Sequence, residues 1–237
     1  MFRFIRFSLL LFCFACAIPS ALPGQSTKGY YEDFQKALLV PDSVLTLDVA
    51  FAGKRMPAAL TKFRNLQDLR IEFADSSVFD WAHFMKLITQ LPKLEHLSIR
   101  RGTMKTLPKG FSKLHLKTLL ITGAGLEKLG TEICGMSELE NLWLSNNNIA
   151  ALPDSIGKLV NLEQLDLSQN KLASLPESIG MLTNLKLAVF HLNKIVLLPQ
   201  SFCKLNKAER IVLARNPVTD AEKTRLTSCF PKGVLYF

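Results

Sequence analysis

Cysteine is scarce in this sequence, with five among 237 residues. Cys13 and Cys16 lie in an apolar run at the N-terminus, which leaves Cys134, Cys203 and Cys229 for the rest of the chain. Small secreted proteins that depend on disulfides need a denser cysteine pattern. The sequence therefore excludes a disulfide scaffold.

The sequence also lacks the common signatures of enzymes. It has no phosphate-binding loop, dinucleotide fingerprint, nucleophile elbow or H-E-x-x-H motif. Cys134 has no histidine nearby that could act as its base. The histidines are scattered along the chain, at His83, His96, His115 and His191. We therefore predict no catalytic residue, no metal site and no cofactor, so the chain is not expected to be an enzyme.

Only one long hydrophobic run is present, and it begins at residue 7. Arg3 and Arg6 precede about a dozen apolar residues that end in Ala15-x-Ala17, an order typical of a secretory signal peptide. The run is too short for a comfortable membrane span. We predict a signal peptide over 1–17, with cleavage as late as 21, and an exported product.

Two alternatives remain for this N-terminus. Ala15-Cys16 is compatible with a lipoprotein junction, at which Cys16 is acylated and residues 17–28 form a tether. Simple cleavage is favoured, because Cys13 stands where such a junction usually has leucine. An uncleaved anchor is the third alternative. The expected location is secreted or in the cell envelope, which means the periplasm or the cell surface if the source is bacterial.

Basic residues outnumber acidic residues, at 29 against 20. Removal of the signal peptide takes two arginines and leaves 27 basic residues, a net charge of +7. A basic balance can indicate a nucleic-acid partner or an anionic surface. In an exported chain it is better explained as a solubilising surface. We predict no nucleic-acid partner, and contact with a membrane only through the signal peptide or a lipid anchor.

The stretch 139–207 contains three copies of one pattern. The copies begin at Leu139, Leu162 and Leu185, 23 residues apart, and have the form L-x-x-L-x-L-x-x-N-x-L. Each closes with Leu-Pro, a polar pair, Ile or Phe, and a final Leu. A fixed period of this length predicts a solenoid. Weaker copies extend the pattern on both sides and begin near Val44, Leu66, Leu94, Leu116 and Ile211.

This period divides the chain into segments. They are a linker over 18–28, an N-terminal helical cap over 29–43, about eight repeats over 44–218 and a C-terminal cap over 219–237. The first cap is a predicted helix from Gly29 to Val40, and the second begins with the capping box Thr219-x-x-Glu222. The apolar tail over 234–237 is expected to be an edge strand or a plug.

One unit is longer than the others and contains a helical stripe. Ser76 or Ser77 can cap a helix that carries Val78 and Trp81 on its apolar side and ends at Pro92. We interpret Trp81 as a core residue because it lies within that stripe.

The pattern resembles the leucine-rich repeat over 44–218. The segments Leu152-Pro153-x-x-Ile156-Gly157 and Leu175-Pro176-x-x-Ile179-Gly180 resemble its Ras-suppressor-like subclass over 139–207. The resemblance implies an α/β solenoid: a right-handed arc with a parallel sheet on the concave face and short helices or turns on the convex side. It also implies a role in protein–protein recognition. Better-known members of the subclass are intracellular, so the signal peptide is a departure, and the simple caps look more like those of secreted bacterial members.

Four asparagines share one repeat position, just after the strand. An amide there can satisfy backbone groups that turn away from the sheet, so we interpret them as a structural ladder. They are Asn147, Asn170, Asn193 and Asn216. The first four units carry alanine or glycine instead, which predicts a less regular and less rigid N-terminal half.

Cysteine spacing leaves one candidate disulfide. Cys203 and Cys229 lie in neighbouring units and can pair in an oxidising compartment. Cys134 and Cys203 lie three repeats apart, which is roughly 14 Å at the spacing of adjacent strands. That distance is too long for a disulfide.

Strand alternation predicts the binding face, because the leucines point inward and the positions between them point out along the concave sheet. The central outward position is polar first and apolar later: Asp48, Arg70, Ser98, Leu120, Trp143, Asp166, Val189 and Val212. Neighbouring positions add Leu187 and Leu192 to the apolar part. They add His96, Arg100 and Arg101 as a basic cluster.

Trp143 is the strongest candidate for a binding residue, since the equivalent position in the next unit is Asp166 and aromatic residues dominate binding energetics. The alternative is that it packs against its strand neighbours. We predict an exported, monomeric, non-enzymatic module that binds a protein partner through the concave face. The alternative function is a lipid-tethered structural or adhesive protein of the cell envelope.

Overall fold

The computed structural model describes residues 28–74 and 78–237. The predicted signal peptide, Cys16 and nearly all of the predicted linker lie outside these residues. The strands are β1 (Tyr30–Tyr31), β2 (Thr46–Phe51), β3 (Asp68–Phe73), β4 (His96–Arg100), β5 (Thr118–Thr122), β6 (Asn141–Trp143), β7 (Gln164–Asp166), β8 (Leu187–Val189), β9 (Arg210–Val212) and β10 (Leu235–Tyr236). The α-helices are α1 (Phe34–Ala37), α2 (Trp81–Ile88) and α3 (Asp220–Cys229). Within the described ranges, no helix is long and apolar enough to span a membrane.

The strands join one parallel sheet in chain order, each paired with the next. The register follows the sequence period: Leu142 lies opposite Leu165, and Leu165 lies opposite Ala188. Each unit therefore contributes one strand and returns through a turn on the other side. The predicted α/β solenoid with a single parallel sheet is confirmed, and β1 and β10 extend that sheet beyond the repeats.

The core lies between the sheet and the returning turns. The inward-facing side chains in the strands and directly after them, such as Leu142, Leu144, Leu165 and Leu167, are buried. Burial of one leucine side chain contributes roughly 1.5–3 kcal/mol. Because each unit contacts mainly its neighbours, the repeated leucines stabilise the stack unit by unit.

The convex side consists mainly of 3₁₀ turns, such as Glu177–Met181. Gly180 in this turn has a packing reason, because a Cβ atom there would overlap the carbonyl oxygen of Ser201 in the next unit. A Cβ atom at Gly157 would overlap Ser178 in the same way. Glycine at this position lets successive turns pack directly on each other.

The long convex helix α2 begins later than the sequence suggested. Asp80 is its N-cap, and the carboxylate accepts the backbone N–H of His83 at 2.8 Å. An aspartate cap satisfies a free N–H group at the start of the helix as well as serine would. The expectation that Ser76 or Ser77 caps this helix is therefore wrong.

Trp81 belongs to an aromatic cluster beneath α2. Its ring centroid lies 4.8 Å from that of Phe79 and 5.4 Å from that of Phe73. These contacts give the indole a packing role. Val78, which was expected on the same apolar stripe, precedes the helix and is exposed.

The N-terminal cap is not the single helix predicted over 29–40. Tyr30–Tyr31 forms β1 in parallel with β2, and only Phe34–Ala37 is α-helical, with Asp33 as its N-cap. Tyrosine is common in strands. The strand also pairs with backbone groups at the edge of β2, which would lack partners if these residues were helical. The cap therefore covers the edge of the sheet as well as the end of the core.

The C-terminal cap consists of α3 and β10. Thr219 Oγ1 accepts the N–H of Glu222 at 3.2 Å, which is half of the predicted capping box. Instead of reaching back to Thr219, the Glu222 carboxylate accepts the N–H of Leu198 at 2.9 Å and pairs with Arg225 at 2.6 Å. These contacts hold α3 against the preceding unit.

A disulfide joins Cys203 to Cys229, whose Cα atoms lie 5.4 Å apart. It connects the last convex turn to the end of α3. Arg225 Nη1 donates to Cys203 Sγ at 3.4 Å, so the same turn and helix are also linked by a side chain. Cys134 is a free and buried thiol.

The four ladder asparagines bond to their own unit and to the unit before it. In the case of Asn170, Nδ2 donates to the carbonyls of Leu144, Leu167 and Ser168 at 2.9, 3.1 and 3.1 Å. Its Oδ1 accepts the N–H of Ile149 at 3.0 Å. Leu144 and Ile149 lie one unit earlier, so the amide bridges two units. Asn147, Asn193 and Asn216 make equivalent bonds.

A second set of asparagines, which was not predicted from the repeat pattern, precedes the strands. Each donates through Nδ2 to a carbonyl oxygen one unit back. The pairs are Asn65 with Asp42, Asn161 with Ser137, and Asn184 with Val160, at 2.8, 2.9 and 2.8 Å. The side chains therefore connect successive units at both ends of the strands.

Candidate protein-binding face

The outward side chains of the sheet form one continuous face, which we call the concave face. Because the strands are in register, their central outward positions form a single row, here called the central row. From β2 to β9 it contains Asp48, Arg70, Ser98, Leu120, Trp143, Asp166, Val189 and Val212. Tyr236 lies opposite Val212 and continues the row onto β10.

The N-terminal part of the row is a network of paired polar groups. Arg70 donates to Asp68 through Nε and Nη2 at 3.0 and 2.6 Å. Burial raises the pKa of the Asp48 carboxyl, although nearby Arg70 acts to lower it. Burial and a hydrogen bond to Glu32 raise the pKa of the Tyr30 hydroxyl to about 12. These groups satisfy one another, so they offer little free charge to a partner.

The predicted basic cluster lies together at β4. His96 and Arg100 extend outward from the same strand and are half-buried. Arg101 is exposed, has a left-handed backbone with φ 56°, and pairs with Glu72 at 2.9 Å. The cluster is therefore partly neutralised by an acid of the neighbouring strand.

Leu120 contributes almost nothing to the accessible surface, since it is only 1% exposed. Its neighbours in the row are Ser98 and Trp143. Adjacent strands are about 4.8 Å apart, and an indole is wide enough to cover that step. The prediction that Leu120 contacts a partner is therefore wrong. Trp143 is half-buried, so part of its surface stays accessible while the rest packs.

Asp166 separates Trp143 from the apolar residues further along the row. Its side chain is buried, and Oδ1 accepts the backbone N–H of Ser168 at 2.8 Å. Burial raises the pKa of this carboxyl, and the hydrogen bonds with Ser168 oppose that shift. The carboxylate is thus engaged with the turn of its own unit rather than with solvent.

The C-terminal part of the concave face is an apolar patch. Its members come from β8, β9, β10 and the residue positions just after β8. They are Leu187, Val189, Leu192, Val212 and Tyr236, all at least partly accessible. We call these five residues the apolar patch. Tyr236 also carries the guanidinium of Arg210 over its ring, 4.6 Å from the centroid.

Tyr236 was not among the residues predicted for this face. The alternation in Val234-Leu-Tyr is that of a strand, but a two-residue strand is too short to recognise from its pattern. The tail was expected to be an edge strand or a plug, and its pairing with β9 shows that it is an edge strand.

Leu192 has an unusual backbone for a large apolar residue. Its φ is 55°, in the left-handed region, and its side chain is 37% exposed. Asn146, Gln169 and Arg215 occupy the equivalent positions with φ values of 56°, 55° and 59°. The fold therefore requires this conformation at the end of the strand, and leucine is poorly suited to it.

We expect Leu192→Asn to raise the free energy of unfolding by about 0.5–1 kcal/mol, because asparagine adopts the left-handed region more readily than leucine. Urea denaturation measures the effect. Leu187→Asn is the matched control, since Leu187 lies in the extended strand β8 and should gain nothing. A loss of stability in Leu192→Asn would contradict the expectation.

Metal-ligating side chains are not grouped on this face. In the ranges 28–74 and 78–237, no three histidine, cysteine or carboxylate side chains lie close enough to hold a metal ion. The face carries arginines paired with acids at one end and apolar side chains at the other.

Fold and face together define a solenoid of leucine-rich repeats. A family model described as "Leucine Rich repeats (2 copies)" matches residues 137–180. No curated protein matches the sequence. An internalin from Listeria monocytogenes is similar in structure, with a TM-score of 0.65, 16% identity, and coverage of 88% of this chain and 58% of that one.

Two receptors are also similar. A TDR receptor gives a TM-score of 0.62 at 23% identity, covering 76% of this chain and 32% of that one. The second is the leucine-rich repeat ectodomain of the plant receptor kinase GASSHO1/SCHENGEN3 from Arabidopsis thaliana, in complex with CASPARIAN STRIP INTEGRITY FACTOR 2. Its TM-score is 0.57 at 21% identity, and the match covers 75% of this chain and 22% of that one. The chain thus spans less than two thirds of each of these proteins, and the likeness concerns the fold.

Proposed function

We propose that this chain is an exported, non-enzymatic module that binds a protein partner through its concave face. The apolar patch is the observation that supports the proposal. Five apolar or aromatic side chains are gathered there, on the side of the sheet that has no core to fill, and Trp143 lies two strands away in the same row. Contiguous exposed apolar surface commonly marks a site of interaction.

The dimensions of the face are adequate for such a role. Ten strands spaced about 4.8 Å apart give a surface roughly 43 Å long. A standard interface needs about 800 Å² on each partner. Among the similar structures, the plant receptor ectodomain was solved with CASPARIAN STRIP INTEGRITY FACTOR 2 bound. That complex supports the use of this kind of solenoid in recognition, and the identity of its ligand belongs to that receptor.

Export is the second part of the proposal. The residues 1–17 have the composition of a signal peptide, and the Cys203–Cys229 disulfide suits an oxidising compartment. A lipid-tethered envelope protein would share both features. Mass spectrometry of the mature N-terminus is the measurement that separates cleavage after Ala17 or Ala21 from acylation of Cys16.

Partner capture tests the binding role. We expect Val212→Asp and Trp143→Ala each to reduce the yield of captured partner at least about 10-fold, since central residues of an interface carry most of its energy. The measurement is cross-linking and capture from native extract, quantified by mass spectrometry, with folding checked by circular dichroism.

Val160→Asp is the matched control, because Val160 is an exposed valine outside the concave face, next to the convex turn Ile156–Lys158. It should capture the same proteins in the same amounts as the unmodified chain. If all three variants capture the same proteins equally well, the concave face is not the binding surface.

A further inference from the structure

Three cations line one edge of the concave face beside the apolar patch. Lys171 and Lys194 each follow a ladder asparagine, and Arg215 precedes one, so the three lie where successive strands end. All three are exposed. Lys194 N donates to the carbonyl of Leu172 at 2.8 Å, which shows that these segments stack directly from unit to unit. We call Lys171, Lys194 and Arg215 the basic edge.

The basic edge has no acid to neutralise it. Within the described part of the chain, none of its three side chains has a carboxylate within salt-bridge distance. The opposite edge of the sheet differs, since Lys117 pairs with Glu95 at 3.0 Å and Lys186 with Glu163 at 2.8 Å. One side of the face therefore carries a row of cations that no acid neutralises.

The face between the two edges is also free of accessible acid at this end. The outward positions of β8, β9 and β10 carry no carboxylate, and Arg210 on β9 adds a further cation. Asp166 on β7 is buried and bonded to Ser168. At the N-terminal end, by contrast, arginines and acids occur together and pair.

We propose that the C-terminal end of the concave face binds an acidic, apolar protein segment. The apolar side chains of the segment would lie on Leu187, Val189, Leu192, Val212 and Tyr236, and its carboxylates would face the basic edge. This inference rests on the proposed function and specifies the chemistry of the partner. Complementary charge of this kind favours encounter and orientation, and it weakens as salt screens it.

The asymmetry between the edges also fixes how such a segment lies. Four acids and two lysines are stacked along the opposite edge, in the order Glu95, Lys117, Glu140, Glu163, Lys186 and Glu209. That edge does not attract anions, whereas the basic edge attracts them along three consecutive units. A bound segment would therefore direct its carboxylates to the side where the strands end. A segment rich in lysine or arginine would meet like charge there.

Selection from an unbiased peptide library tests this chemistry. The probe is a phage-displayed library of random dodecapeptides, selected on the full, oxidised protein and counter-screened on Val212→Asp. We expect the clones that require Val212 to be enriched in both acidic and apolar residues. If clones that require Val212 are basic or uncharged, the charge assignment is overturned while the proposed function stands. If no clone requires Val212, the proposed function fails, and this inference fails with it.

A charge-matched pair of variants completes the test. The dissociation constant of the best synthetic dodecapeptide is measured by fluorescence anisotropy at low and moderate salt. We expect the double variant Lys194→Gln/Arg215→Gln to weaken binding about 10-fold at low salt, and by less as salt rises. The control double variant Lys113→Gln/Lys158→Gln removes two exposed cations from the convex turns and should change binding less than about 2-fold. Equal weakening by the two pairs would overturn the role of the basic edge.

Discussion

Asn170→Ala should lower the free energy of unfolding by about 3 kcal/mol, because a buried backbone group left without a partner costs about 1–3 kcal/mol and each further hydrogen bond lost costs about 0.5–1.5 kcal/mol. The substitution leaves the Ile149 N–H without its partner. The carbonyls of Leu144, Leu167 and Ser168 each lose one donor but keep another. The loss falls on the junction between two units, so both are weakened.

Urea denaturation followed by circular dichroism measures this loss. Asn161→Ala is the control: Asn161 is exposed and donates to Ser137 alone at 2.9 Å, so about 1 kcal/mol is expected. Asn170→Asp keeps the size of the side chain but cannot donate, and it should lose nearly as much as Asn170→Ala. If Asn170→Ala costs no more than Asn161→Ala, the ladder is not a major source of stability.

Reduction of the Cys203–Cys229 disulfide should lower the free energy of unfolding by about 3 kcal/mol, since the bond closes a loop in the unfolded chain and limits its entropy. The two cysteines are 26 residues apart in sequence. Without the bond, α3 is held to the last unit by the Glu222 and Arg225 contacts and by the packing of Leu226 and Phe230 in the core. Loss of stability should therefore begin at the C-terminal end.

The measurement compares urea denaturation with and without reductant. The double variant Cys203→Ser/Cys229→Ser should be as unstable as the reduced chain and should not respond to reductant. Cys134 is a buried thiol in both proteins, so it cannot account for a difference. Equal midpoints for the oxidised and reduced chains would show that the disulfide adds little.

The regular part of the fold could be predicted closely because one period fixes it. The leucines that repeat every 23 residues from Leu139 to Leu185 determine which side chains point inward and which strands are neighbours. The order of the central row follows from the same period. Contacts that repeat in every unit are visible in the sequence, since each copy confirms the others.

Features that occur once could not be predicted in the same way. Leu120 occupies an outward position between Ser98 and Trp143, yet it is buried. Tyr236 joins the face only because the tail pairs with β9. Neither depends on the repeat, so the period gave no information about them.

The ends of the solenoid show the same limit. A helix over 29–40 was expected from spacing alone, but the strand Tyr30–Tyr31 competes for the first residues of that segment. Glu222 fits a capping box by position, yet it bonds to Leu198 in the preceding unit. Local patterns are overridden where a long-range partner for the same group is available.

Because each ladder asparagine bonds to the unit before it, removal of units from the N-terminal end of the solenoid breaks different bonds from removal at the C-terminal end. Asn170 serves groups of the unit before it, and the N–H of Leu172 in its own unit is served in turn by Asn193. Loss of whole units from the N-terminal side leaves the first remaining amide without its partners in the missing unit. Loss from the C-terminal side instead leaves a backbone N–H of the new last unit without the amide that served it. Insertion of a whole 23-residue unit between Asn147 and Asn193 recreates the same bonds at each new junction. The width of the face can therefore change in evolution by duplication of units, without redesign of the core.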